Sequence, residues 1–106
     1  MAHDPERRRH ERRQLSVDVS AWTLVQPTQL LGGRTVDLGI GGASLRLPGL
    51  APGAVRLELR FALPDRPLVV QAAVVHRRPP DLVGVVFDLL DPTVVERLSG
   101  FVEGGT

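Results

Sequence analysis

Between Leu15 and Leu89 the apolar residues recur at every second position, in short runs separated by proline and glycine. A strand turns successive side chains to opposite faces, so this spacing gives a sheet that is apolar on one side and polar on the other. The clearest run is Val55, Leu57, Leu59, Phe61 and Leu63, alternating with Arg56, Glu58 and Arg60. Leu15, Val17, Val19 and Ala21 alternate with Ser16, Asp18 and Ser20 in the same way, and Pro27 interrupts that pattern. Further strands are expected over 33–38, 43–47, 68–76 and 82–89. Residues 68–76 are apolar on both faces in part and are expected to be central. In the last strand Val83, Val85, Phe87 and Leu89 share one side. Turns are expected at Gly39–Gly42, around Pro48, Gly49, Pro52 and Gly53, at Pro64-Asp65-Arg66-Pro67, and at Arg78-Pro79-Pro80-Asp81.

The end of the chain changes period. Asp91 suits a helix N-cap and Pro92 the first helical position. Val94, Val95, Leu98, Phe101 and Val102 then follow at helical spacing, and Gly104-Gly105 ends the helix. Six short strands and one closing helix predict an all-β sandwich or barrel, its end or open edge covered by the helix. No internal repeat is visible. The 106 residues suffice for one core, and 42% hydrophobic content supplies it. Without cysteine, neither a disulfide framework nor a thiolate metal site is available. No apolar run is long enough to span a bilayer, and the N-terminus is polar, without the apolar stretch of a secretory signal. The expected location is the cytoplasm, with no membrane contact.

Charge is unevenly placed. The net charge is only +1, yet five of the thirteen basic residues lie between Arg7 and Arg13, and all thirteen are arginine. Arginine offers a planar donor fork to phosphates and purine edges. A genome rich in G and C also accounts for the missing lysine. Such an arm has three readings: a solvated tail, a phosphate-binding nucleic-acid arm, or a clamp for a small anionic ligand. The third is favoured over nucleic acid because the rest of the chain is near neutral and poor in stacking aromatics, with Trp22 and three phenylalanines. Arg8 and Arg12 stand four apart, with Arg7 beside the first, so two guanidiniums can reach one ligand.

The turn Asp37-Leu38-Gly39-Ile40-Gly41-Gly42 also has two readings. As a plain hairpin connection, its glycines supply positive φ and Asp37 makes a local bond. As a ligand site, Gly39 and Gly42 let a ligand near the backbone, and Asp37 accepts hydrogen bonds from a guanine N1–H and amino group. It is neither a P-loop, lacking the lysine and hydroxyl, nor a dinucleotide fingerprint, lacking a strand–turn–helix unit.

In their order and context the two motifs resemble the PilZ domain, a bacterial receptor module for cyclic di-GMP. Arg8-Arg9-His10-Glu11-Arg12 fits the family's RxxxR element before the first strand. Asp37–Gly42 fits its (D/N)xSxxG turn except at one position. Glu6-Arg7-Arg8, Gly42-Ala43-Ser44-Leu45 and Gly84-Val85-Val86-Phe87 agree as well, so the resemblance spans about Glu6 to Val102. Arg9 and Arg13 are also four apart. Only from Arg12 do Leu15, Val17 and Val19 fall at the odd offsets of the family's inward residues, which selects Arg8 and Arg12.

The resemblance implies a six-stranded antiparallel β-barrel of the split-barrel type with a C-terminal helix. It divides the chain into a flexible basic arm, residues 1–14, and a barrel domain, residues 15–106. Cyclic di-GMP would lie on the outer surface, wrapped by the arm. Arg7, Arg8 and Arg12 would meet guanine edges and phosphates, Asp37 would read a guanine, and Gly39 and Gly42 would line the turn. The arm would order on binding and create a surface for a downstream protein partner. The alternative is a ligand-independent adaptor of the same fold. Gly39 replaces the family serine, a lost hydrogen bond worth about 0.5–1.5 kcal/mol, or up to roughly tenfold in affinity. Gly39→Ser should therefore tighten binding in a titration; no gain would count against this account. The choice between monomer and dimer, and between one and two bound nucleotides, stays open.

Catalysis finds no support in the residues. His3 and His10 belong to the arm, His76 ends a strand as a rim residue, and no HExxH spacing exists. Asp4, Glu6, His10 and Glu11 are possible metal ligands, but a mobile arm makes a poorly organised site. No enzyme activity, cofactor or metal is expected.

Overall fold

The computed structural model describes residues 12–24 and 28–104. Among these residues seven strands precede one helix: β1 (Arg13–Gln14), β2 (Asp18–Thr23), β3 (Leu30–Leu38), β4 (Gly42–Arg46), β5 (Arg56–Phe61), β6 (Leu68–Arg78), β7 (Leu82–Phe87) and α1 (Pro92–Gly104). Every pairing is antiparallel. The order β3-β2-β5-β6-β7-β4, with β4 returning to β3, closes a six-stranded barrel. β1 is an extra strand on the edge of β3, pairing Arg13 with Leu38 and Gln14 with Asp37. The barrel and helix expected from the sequence are both present.

Alternation builds the core. Val19, Ala21, Leu45, Leu57, Leu59, Phe61, Val70, Ala72, Val83 and Val85 point inward and are buried. Phe61 and Phe87 meet edge to face, with centroids 5.9 Å apart and planes at 73°. Leu98 and Val102 carry α1 onto this core. The helix starts as its sequence dictates: Asp91 Oδ1 accepts from the Val94 amide at 3.1 Å, and the Asp91 carbonyl accepts from Val95.

Arg97 ties α1 to the β5–β6 turn. It donates to Asp65 Oδ1 and to the Arg66 carbonyl, each at 2.8 Å. The Arg66 amide and then the Arg97 guanidinium hold the Asp65 carboxyl below its ordinary pKa.

Several boundaries differ from the sequence reading: β4 is Gly42–Arg46 for the expected 43–47, and β6 runs to Arg78 for the expected 76. β3 begins at Leu30, earlier than the expected Gly33, because Ala21 and Trp22 of β2 extend the ladder to Leu31 and Leu30. β7 stops at Phe87, and Leu89, expected on the side of Val83, Val85 and Phe87, is fully exposed while those three are buried. Asp88 breaks the pattern there: its amide donates to the Gln71 carbonyl, and its carboxylate takes the Arg56 guanidinium, which lowers the Asp88 pKa. At the start of β5, Val55 is exposed and Ala54 is buried instead.

The first expected strand is also interrupted. Leu15–Val17 lie between β1 and β2, and buried Thr35 of β3 fills the gap. Its hydroxyl accepts from the Val17 amide at 2.8 Å and donates to the Leu15 carbonyl, while its own amide donates to the Val17 carbonyl. Backbone groups that the missing ladder leaves over are thereby satisfied. Among the described residues no helix is long and apolar enough to cross a membrane.

Candidate functional site

Asp37 reaches the outer surface because β3 carries a bulge. Thr35 pairs with Leu45 and Asp37 with Ser44, so Val36 is the extra residue. A one-residue shift exchanges the two faces of a strand. Thr35 and Leu38, three apart, therefore both point inward and are buried, while Val36 is exposed and Asp37 half-buried. In an unbroken strand Asp37 would share the inward side with Thr35.

Two groups donate to that carboxylate. Asp37 Oδ1 accepts from Arg12 Nη1 at 3.2 Å and from the Ser44 amide at 3.1 Å. Arg12 Nη1 also lies 3.3 Å from Ser44 Oγ. Among the described residues, Asp37 Oδ2 has no hydrogen-bond partner. The pair keeps about a third of its side-chain surface, 36% for Arg12 and 28% for Asp37. An ion pair so exposed to water is worth about 0–1 kcal/mol, so an arriving ligand can displace or extend it at little cost.

The turn between β3 and β4 is tight. The Gly39 amide donates to the Gly42 carbonyl at 2.9 Å, and the Gly41 carbonyl accepts from Phe87 at 2.9 Å. Positive φ was one expectation for these glycines, but among the described residues only Gly49 adopts it. At Gly42 the constraint is space. A Cβ there would collide with the Val85 carbonyl and sit 3.2 Å from Arg12 Nη2. The close approach at Gly42 is thus made by β7 and by Arg12. Gly39 is buried in the same turn.

Arg12 and Arg13 part company. Arg12 goes to the β3–β4 turn, whereas Arg13 donates to the Val102 carbonyl of α1 at 2.8 Å and lies 3.3 Å from that of Glu103. Of the residues singled out from the sequence, Arg12, Asp37, Gly39 and Gly42 are gathered here. Arg7 and Arg8, with His3, Asp4, Glu6, His10 and Glu11, lie outside the described residues. Among the described residues no group of histidine and carboxylate side chains is arranged to hold a metal.

Two outward residues were not among the candidate ligand contacts, and His76, expected to end its strand as a rim residue, lies inside β6, which continues to Arg78. Ser44 lies between buried Ala43 and Leu45, and that alternation alone marks it as outward. His76 is turned out by a second bulge, at Val75 of β6, and packs over Gly84. Asp37, Ser44, Gly84 and His76 therefore stand in one outer row across β3, β4, β7 and β6. At the usual strand spacing the row is about 14 Å long.

Comparisons with known proteins agree with this architecture. No curated protein sequence matches the chain. Among solved structures, the PilZ domain of CeSA from a cellulose-synthesising bacterium superposes with TM-score 0.73 at 18% identity, covering 89% of this chain and 96% of that one. The PilZ domain of YcgR from Escherichia coli, solved with c-di-GMP, gives 0.70 at 18% identity, covering 92% and 90%. The Bacillus subtilis inhibitor of motility MotI/DgrA gives 0.72 at 17% identity, covering 93% of this chain and 50% of that one. The family profile described as PilZ domain matches residues 6–104, and the chain belongs to the PilZ family.

Proposed function

We propose that this chain is a receptor for cyclic di-GMP, that it binds the nucleotide on the outer surface beside the β3–β4 turn, and that it reports occupancy by ordering its N-terminal arm. The observation that carries the reading is the bulge-exposed Asp37 with Arg12 beside it. A carboxylate is an acceptor only, and a guanine Watson–Crick edge offers the N1–H and amino donors that it needs. Arg12 is close enough to serve the same ligand, through a guanine O6/N7 edge or a phosphate. Family membership and a c-di-GMP-bound neighbour of the same fold support this choice of ligand.

Arg7 and Arg8 complete the proposed clamp from the arm, residues 1–14. Gly42 lets the turn close against β7 with Arg12 beside it, and Gly39 lies in the same turn. Ligand and arm together form the surface offered to a protein partner. Nothing in this reading calls for bond-making, and PilZ domains act as binding modules rather than enzymes.

The deciding experiment is a calorimetric titration of the full chain with cyclic di-GMP, with GTP as control and Arg12→Ala beside the wild type. Selective saturable binding is expected, weakened about 10- to 100-fold in Arg12→Ala by loss of charge-assisted hydrogen bonds. Absence of heat at high micromolar ligand would end the receptor reading in favour of the ligand-independent adaptor, which the missing Gly39 hydroxyl favours.

A further inference from the structure

Arg12 and Arg13 are neighbours in sequence, and their side chains bind to different parts of the fold. Arg12 meets Asp37 and Ser44 at the β3–β4 turn. Arg13 spans from the edge of β3 to the last turn of α1, meeting the carbonyls of Val102 and Glu103. Those carbonyls are among the last four of the helix, which have no partner within it. The last turn of α1 contains no basic residue of its own to meet them. Glu103 even brings a carboxylate to the negative end of the helix, so a guanidinium is the complement that this end lacks.

The remaining contacts divide the helix in two. Its middle is fixed by Arg97 to the β5–β6 turn and by buried Leu98. The last turn rests on Val102, on half-buried Phe101 beside it, and on Arg13. The grip of Arg13 is relayed by only two β1 residues, whose ladder partners are Leu38 and Asp37. Asp37 is the carboxylate that Arg12 holds. One short segment thus touches the proposed ligand site and the helix end at once.

We infer that Arg13 is a positioning residue. It clamps β1 between the barrel and the end of α1, so that Arg12 is presented at Asp37, and it couples occupancy of the site to the order of the last turn of α1. The coupling is reciprocal, since whatever a ligand gains from an ordered β1 the helix end gains as well. The ligand half of this inference rests on the receptor reading; the clamp itself does not.

The test is amide hydrogen exchange on the full chain, with and without cyclic di-GMP, for the wild type, Arg13→Ala and Arg13→Lys. Without ligand, Arg13→Ala should speed exchange in residues 101–104 and at Gln14 by roughly tenfold, with the β5 and β6 amides unchanged. Arg13→Lys, which can still donate to a carbonyl, should restore most of that protection. With ligand, the wild type should gain protection in the last turn of α1. Arg13→Ala should bind several-fold more weakly and show no such gain. If ligand-free Arg13→Ala exchanges like the wild type at residues 101–104 and Gln14, the clamp is overturned. If ligand still protects the last turn in Arg13→Ala, the coupling is overturned even where the melting temperature has fallen. Failure of the wild type to bind cyclic di-GMP overturns the receptor reading and the coupling, while the ligand-free comparison still decides the clamp.

Discussion

Asp37→Asn should weaken cyclic di-GMP binding by at least ~100-fold while the barrel stays folded. The substitution keeps the shape of the side chain and keeps one oxygen for the Ser44 amide, which now binds Asp37 Oδ1 at 3.1 Å. It removes the charge that Arg12 faces, and it puts an NH2 group where a guanine presents donors. Loss of a charge-assisted pair of hydrogen bonds, with a donor set against donors, costs about 3 kcal/mol. Stability should move by less than about 1 kcal/mol, since the Arg12–Asp37 pair keeps about a third of its side-chain surface in water. Calorimetry and thermal melting of the two proteins separate the effects. An affinity within threefold of wild type would remove Asp37 from the ligand site, and a collapsed melting transition would give it a structural role instead.

Phe61→Ala should give the largest loss of stability, about 3–5 kcal/mol. Phe61 is fully buried on β5 and packs edge to face on Phe87 of β7, across the barrel interior. A closed barrel can collapse onto a hole only by breaking its ladders, so most of the cavity would persist. Chains of this size unfold with about 5–15 kcal/mol, so one truncation uses up a large fraction of the total. The melting temperature should fall by roughly 15–30 °C, with the denaturant slope near wild type. A fall of only a few degrees would mean that the barrel core repacks freely.

Much of this was legible in the sequence because the sheet is a faithful period-2 object over most of its length. Leu57, Leu59 and Phe61, or Val83 and Val85, lie as their alternation predicts. The helix was equally plain, since Asp91 and Pro92 state its start in local chemistry. What escaped the reading are the places where the period slips. The bulges at Val36 and Val75 are fixed by which strand lies alongside, and that is a long-range property. The same limit applies to the site. Asp37 and Arg12 were named from motif order, but the partnership of Ser44 with both, and the departure of Arg13 toward α1, arise only when distant strands meet. Gly42 stood out as a glycine, but its reason, the Val85 backbone pressed against it, belongs to the barrel seam.

The barrel also consists of two successive three-strand meanders. β2, β3 and β4 form the first, and β5, β6 and β7 the second, each joined internally by neighbouring strands. Among the described residues they meet along two ladders, β2 on β5 and β4 on β7. The proposed ligand contacts at Arg12, Asp37, Gly39 and Gly42 belong to the first half, and α1 follows the second. The bond from Arg13 to Val102 is a further tie between the halves, beside the Arg46–Asp81 ion pair. A backbone nick in the 47–55 loop would therefore leave a heterodimer of fragments, with recognition chemistry in one piece and the helix in the other. Communication between them would pass entirely through non-covalent joints.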